Sequence, residues 1–102
     1  MAGEELAGRS FDMDLGSLVP RLSYLEGGKA RLYLKGDGFV VDEVIDVDIA
    51  AVRPSVFVVS WIEASGNYIV QVQDHERNVV HNRARLSHGT VLSLEGVIRP
   101  LT

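Results

Sequence analysis

Apolar and polar residues alternate along much of the chain, which is the pattern of β-strands with one buried face. Near the N-terminus Phe11, Met13 and Leu15 alternate with aspartates, and near the C-terminus Leu92 and Leu94 alternate with polar residues. Residues that favour turns (Gly, Asn, Asp and Pro) recur between such segments. The pattern predicts eight strands, at residues 9–15, 18–25, 29–35, 39–49, 55–63, 68–74, 78–86 and 91–99.

Eight short strands joined by tight turns predict an all-β domain, either a closed antiparallel meander barrel or a sandwich. Closure removes the exposed edge strands of a small flat sheet, so we favour an eight-stranded up-and-down barrel. A barrel of this size holds packed side chains or one small ligand, so a central cavity is expected. A chain of 102 residues suits one domain, and we assign residues 1–102 to it.

Composition excludes several classes of protein. A net charge of −4 argues against a general nucleic-acid binder, which needs a basic surface. The absence of cysteine excludes disulfides, thiolate nucleophiles and cysteine-ligated metals. No metal-ligand spacing such as HExxH occurs, so we expect neither a metal nor a cofactor. No apolar run reaches the roughly 18 residues of a membrane span. The acidic N-terminus is unlike a signal peptide, so we expect a cytoplasmic protein without a membrane partner.

Odd- and even-numbered residues of a strand point to opposite faces, and in each strand the more apolar of the two sets is predicted to face the interior. In the segment 68–74 this rule places Tyr68 inside and assigns Gln71 and Gln73 to the outer face. A mostly apolar lumen with a few convergent polar groups is typical of a small-molecule site, although buried polar groups are often satisfied within the protein. The polar residues predicted to face inward, or to continue that parity at the strand ends, are Tyr24, Glu43, Tyr68, Asn82, Glu63 and Asp74.

Three functions remain open at this point. A binding protein would hold an apolar or aromatic metabolite in the cavity, with ligand contacts from Trp61, Phe57, Tyr68, Asn82 and Asp74. A small enzyme of isomerase, cyclase or lyase type would use Glu43 or Glu63 as acid or base, with Tyr24 or Tyr68 as a proton donor. A filled barrel would act through a homodimer, because both faces of segment 55–63 are apolar and Val56, Val58 and Ile62 need a cover.

Four segments carry a family resemblance: Val-Arg-Pro-Ser-Val-Phe-Val-Val-Ser-Trp-Ile-Glu (52–63), Val-Gln-Val-Gln-Asp (70–74), Val-Val-His-Asn (79–82) and Leu-Ser-Leu-Glu-Gly (92–96). They resemble the MoaF-like family of small lipocalin-like (calycin) barrels. The matching positions are Arg53, Pro54, Ser60, Trp61, Glu63, Asp74, Asn82 and Gly96. The chain departs from the family pattern at Ser55, where the family has glycine, and at His75, where it has an aromatic residue.

The resemblance implies a compact antiparallel barrel with a central cavity. Related calycin barrels either bind hydrophobic small molecules or, as in phenolic acid decarboxylases, use cavity tyrosines and a glutamate for acid–base chemistry. The resemblance is therefore compatible with both the binding function and the enzymatic one.

Overall fold

The computed structural model describes residues 4–101. Within this range a short 3-10 helix, Glu4–Leu6, precedes nine β-strands. The strands are β1 (Ser10–Asp14), β2 (Arg21–Leu25), β3 (Lys29–Gly36), β4 (Phe39–Asp46), β5 (Asp48–Arg53), β6 (Val56–Ile62), β7 (Tyr68–Asp74), β8 (Val79–Arg85) and β9 (Val91–Pro100). The predicted all-β class is confirmed. No helix among the described residues has the length and apolar character needed to cross a membrane.

All nine strands belong to one antiparallel sheet, in the order β4-β3-β2-β1-β9-β8-β7-β6-β5. Strands β4 and β5 are its two edges, and no ladder of hydrogen bonds joins them, so the predicted closed eight-stranded barrel does not form. The difference arises within the predicted strand 39–49, which breaks at Val47. There the Val47 amide donates to the Gly28 carbonyl at 2.9 Å, and the chain leaves β3 to pair with β6 instead.

The concave side of the sheet encloses a single hydrophobic core. Buried side chains from every strand except β5 contribute to it, together with Leu6 of the 3-10 helix. Where β4 lies beside the β6–β7 turn, the Ala64 amide donates to Glu43 Oε2 at 3.1 Å. We call the junction of β4 with β5 and the β6–β7 turn the seam. The curled sheet thus surrounds an interior although its edges are not joined by a ladder.

The predicted faces are right for most strands and wrong for β7. The structure buries Ile69, Gln71 and Gln73, whereas Tyr68 is 39 % exposed on the outer face. The β6–β7 turn explains the difference, because the length of a hairpin loop fixes the register of its strands. The Glu63 amide donates to the Asn67 carbonyl across a loop of residues 64–66, which sets Trp61 opposite Ile69. Residues opposite each other share a face, so Ile69 points inward with Trp61.

Two backbone positions carry constraints that the family pattern reflects. A Cβ atom on Gly96 would overlap the carbonyl oxygen of Asp14, so β9 passes β1 too closely for any side chain. Ser55, in the turn before β6, has φ 67°, a left-handed conformation that glycine adopts more readily. Glycine at this position in the family pattern therefore has a conformational reason.

Candidate functional site

The interior holds a cavity of about 120 Å³. Its walls are mostly apolar, with side chains from β3, β6, β7, β8 and β9. For scale, a cavity of about 150 Å³ in another protein takes up benzene, so this space matches a single ring. A shallower groove of about 620 Å³, lined by Phe39 and Glu43 among others, adjoins it. Leu18, Leu34 and Glu63 line both spaces, which gives the cavity a mouth.

A carboxylate stands at this mouth. Trp61 and Glu63 lie two apart along the β6 direction, and Trp61 Nε1 donates to Glu63 Oε2 at 3.2 Å. Asn67 Nδ2 donates to the other carboxylate oxygen at 3.3 Å, while Asn67 Oδ1 accepts from the Ser87 amide at 3.0 Å. The mouth of the cavity thus presents the Glu63 carboxylate, held by two hydrogen bonds, beside the indole ring of Trp61.

A chain of buried side chains crosses the interior from the opposite end and stops at the cavity wall. Tyr24 donates its hydroxyl hydrogen to Gln73 Oε1 at 2.9 Å, and Gln73 Nε2 donates to Gln71 Oε1 at 2.8 Å. Gln71 Nε2 then donates to Asn82 Oδ1 at 2.9 Å. We call these four residues the amide chain. Gln71 and Gln73 are fully buried, so their hydrogen bonds offset the cost of removing four polar atoms from water.

The end of the interior where the amide chain begins is filled by aromatic rings. The His75 ring lies edge-on to Phe11 and Phe57, with centroid distances of 4.8 and 5.7 Å. His75 Nε2 is 3.0 Å from Gln73 Oε1. Burial and the nearby Arg9 cation lower the pKa of His75, against a smaller opposing effect of Asp74. Burial also raises the pKa of Tyr24.

The predicted site residues divide into three groups. Trp61, Asn82 and Glu63 line the cavity, and Glu43 lines the groove outside it. Tyr24 and Phe57 are buried at the aromatic end, away from the cavity. The remaining two, Tyr68 and Asp74, lie elsewhere.

Tyr68 and Asp74 do not face the interior, and their predicted orientation is wrong. The Tyr68 ring has the Arg85 guanidinium 5.9 Å from its centroid on the outer face. The Asp74 carboxylate accepts from the backbone amides of Glu76 and Arg77, each at 3.0 Å, in the β7–β8 turn. These contacts and the Arg77 guanidinium lower the pKa of Asp74, with the Arg77 amide as the largest cause.

The carboxyl–tyrosine pair expected for an enzyme is not formed among the described residues. The Tyr24 hydroxyl is bound to Gln73, whereas Glu43 accepts from Ala64 and Glu63 accepts from Trp61 and Asn67. Residues 4–101 also contain no group of three or more His, Asp or Glu side chains that could hold a metal ion.

A second groove, of about 550 Å³, lies beside the aromatic end, near the β2–β3 turn. Of the predicted site residues it includes Tyr24 alone, whose hydroxyl already binds Gln73. Its Lys29 ammonium pairs with Asp46 at 2.5 Å. We place the candidate site at the interior cavity, because the convergent polar groups of Trp61, Glu63 and Asn82 lie there.

Sequence reasoning missed Gln71, Gln73 and Asn67. The two glutamines alternate with Val70 and Val72, so a rule based on hydrophobicity alone sends them outward. The sequence signal for the true orientation of the glutamines is Gly66, which has φ 92° and marks a three-residue hairpin loop. That loop aligns the face of Trp61 with Ile69 and hence with both glutamines.

Comparison with known proteins supports the fold and identifies the family. The crystal structure of a putative beta-lactamase from Burkholderia vietnamiensis superposes with a TM-score of 0.88 and 18 % sequence identity, over 94 % of this chain and 95 % of that one. At this identity the likeness shows the fold alone. No curated protein matches the chain. Residues 7–99 match the sequence pattern of the MoaF-like family, and the chain therefore belongs to the MoaF-like family.

Proposed function

We propose that this protein binds a small, mainly apolar or aromatic metabolite, with one ring in the interior cavity and any substituent in the adjoining groove. The observation that carries the proposal is the ring-sized volume left open within the hydrophobic core. Trp61 supplies a flat apolar wall, and Asn82 and Glu63 supply the few polar contacts that orient a ligand.

The geometry supports binding better than acid–base catalysis. Catalysis by a carboxyl group and a tyrosine needs both at one reacting centre, within about 3 Å of the atoms that exchange a proton. Tyr24 is bound at the aromatic end, whereas Glu63 is at the mouth of the cavity. The two groups therefore serve different parts of the interior.

A homodimer over the outer face of β6 stays a prediction. Of the three residues expected at such a contact, Ile62 is 68 % exposed, whereas Val56 is 7 % exposed and packs within its own chain. A dimer would leave the cavity proposal unchanged, since Ile62 lies on the opposite face from Trp61.

The proposal is tested with uncharged single-ring compounds, scored by thermal shift and by fluorescence. Trp61 is the only tryptophan, so its emission reports the cavity directly. At a free concentration of one hundred times Kd, one-site binding stabilises the native state by about 2.7 kcal/mol. For a domain of this size that corresponds to a Tm increase of roughly 10 °C or more.

A pair of variants separates the cavity from the surface. Ala84→Leu fills the cavity, because Ala84 is buried in its wall, and should abolish both the Tm increase and the fluorescence change. Ala50→Leu adds the same atoms on the exposed β5 and should leave both signals unchanged. Binding that is equally strong in Ala84→Leu, or the absence of any response to a broad set of rings, would refute the proposed function.

A further inference from the structure

The hydrogen bonds of the amide chain have one direction, which is set at its first residue. Tyr24 is 2 % exposed, and Gln73 is the one hydrogen-bond partner of its hydroxyl among residues 4–101. A buried hydroxyl that donates to nothing costs free energy, so Tyr24 must donate and Gln73 must turn its oxygen toward it. The Nε2–H of His75 uses the second lone pair of the same oxygen.

The orientation of each later amide group follows from the orientation of the one before it. Gln73 has its oxygen on Tyr24, so its NH2 group faces Gln71, which must present an oxygen. Gln71 in turn directs its NH2 group to Asn82, which must also present an oxygen. Turning over any single amide would set two oxygens or two NH2 groups against each other, and such networks fix the orientation of amide groups.

The chain therefore ends in a donor. Asn82 is 8 % exposed and lines the cavity, its Oδ1 accepts from Gln71, and its Nδ2 has no acceptor among the described residues. No buried side-chain nitrogen or oxygen of the described residues lacks a hydrogen-bond partner, so Asn82 Nδ2, which binds none of them, is accessible from the cavity that Asn82 lines. A ligand oxygen in the cavity can therefore accept the hydrogen bond that this NH2 group otherwise gives to water. At the mouth, the Glu63 carboxylate disfavours a second negative charge.

We infer that the ligand is an uncharged single-ring carbonyl compound (a cyclic ketone, lactone or lactam) whose oxygen accepts a hydrogen bond from Asn82 Nδ2. This inference rests on the proposed binding function and adds the chemical class of the ligand. The net contribution of one neutral hydrogen bond corresponds to about a tenfold difference in Kd.

The test compares cyclohexanone with methylenecyclohexane, in which a CH2 group replaces the carbonyl oxygen at nearly the same shape. Because the two compounds differ in hydrophobicity, the informative quantity is the change in their affinity ratio on mutation, measured by calorimetry. Asn82→Leu should weaken cyclohexanone about tenfold and leave methylenecyclohexane as tight or tighter. An unchanged ratio in Asn82→Leu overturns the inference.

A double variant tests the direction of the chain from a distance. Tyr24→Phe combined with His75→Phe removes both donors that orient the Gln73 oxygen, although neither residue lines the cavity. The ketone-to-alkene affinity ratio should fall in this double variant and stay at the wild-type value in Tyr68→Phe, on the outer face. An unaltered ratio in the double variant would overturn the inferred direction.

Two further outcomes keep the two proposals distinct. Cyclohexanecarboxylate should bind at least tenfold more weakly than cyclohexanone, and equal binding would overturn the assignment of an uncharged ligand. If the ketone and the alkene both bind, but their affinity ratio is the same in Asn82→Leu as in the wild type, the cavity binds rings and this inference fails. If neither compound binds, the proposed function itself fails.

Discussion

The two halves of the interior share β6 and differ in the side chains that meet there. In the aromatic half, Phe11 of β1, Tyr24 of β2, Phe57 of β6 and His75 of the β7–β8 turn form edge-to-face pairs. In the cavity half, Leu, Ala and amide side chains from β3, β7, β8 and β9 surround Trp61 of β6, and a ring-sized volume stays open. Large rings therefore occupy one half of the interior, and smaller side chains leave space in the other.

The halves also differ in how their polar groups are satisfied. In the aromatic half Tyr24 and His75 both bind Gln73, so the protein supplies the partners itself. In the cavity half Asn82 accepts from Gln71 through its oxygen, while its NH2 group binds none of the residues that the structure describes. The polar groups of the aromatic half are thus paired within the protein, whereas one donor of the cavity half faces the cavity.

The largest expected effect on stability comes from truncating a buried ring in the aromatic half. Phe57→Ala should lower the free energy of unfolding by about 3–5 kcal/mol, because Phe57 is 2 % exposed and the change removes its buried ring from the core. Leu94→Ala, on the half-buried wall of the cavity, should cost roughly half as much, since part of its surface faces open volume. Urea denaturation of both variants measures this. Equal costs would contradict the contrast between the halves.

A matched pair of alanines sharpens the comparison. Ala30, which pairs with Tyr24 across strands, is fully buried, and Ala30→Val should cost about 1–3 kcal/mol through overpacking. Ala84 borders the cavity, so Ala84→Val should be neutral or stabilising by up to about 1 kcal/mol. Thermal unfolding gives both values, and a large destabilisation by Ala84→Val would mean that the space is not available.

A smaller effect is expected in the turn that supports the aromatic half. The Ser55 carbonyl accepts from the His75 amide at 2.8 Å while Ser55 holds φ 67°. Ser55→Gly should stabilise the protein by about 0.5–1 kcal/mol, because relief of left-handed strain exceeds the added entropy of the unfolded chain. Asn78→Gly, at φ 57°, is the control and should change little, since Asn tolerates this conformation. Chemical denaturation compares the two variants.

The smallest effect is a pH dependence from His75. Burial lowers the pKa of His75 in the folded state below its usual value of 6.5, so the unfolded chain binds the proton more readily. The contribution of His75 is therefore complete above about pH 6.5 and is lost as the pH falls through the lower folded pKa. His75→Phe should flatten the loss of stability between pH 7.5 and about pH 5.5. His88→Gln, on an exposed turn, should retain the wild-type profile.

Alternation predicted the buried faces wherever the interior is apolar. Phe11, Met13 and Trp61 lie inside as expected, because in those strands hydrophobicity and orientation agree. It failed for β7, where Gln71 and Gln73 are buried and paired with other amides. No rule based on single-residue hydrophobicity anticipates such pairs, since their burial depends on partners from other strands.

The residues that line the candidate site were predictable in part. The spacing of Trp61 and Glu63 and the inward parity of Asn82 are local properties, and the cavity contains all three. The contact of Tyr24 with Gln73 depends on which strand faces β7 across the interior, at a sequence separation of 49, which alternation does not encode. The break at Val47 is similar, because it depends on the distant carbonyl of Gly28.

The seam gives the molecule a weak side. Most of the sheet is held by continuous ladders, but across the seam the described hydrogen bond is that between Glu43 and Ala64. An opening there would break this hydrogen bond and widen the groove at the cavity mouth without breaking the pairing of β6 with β7. Exchange of the proposed ligand would then follow the rate of this local opening rather than that of global unfolding, and so would deuterium uptake at the Ala64 amide.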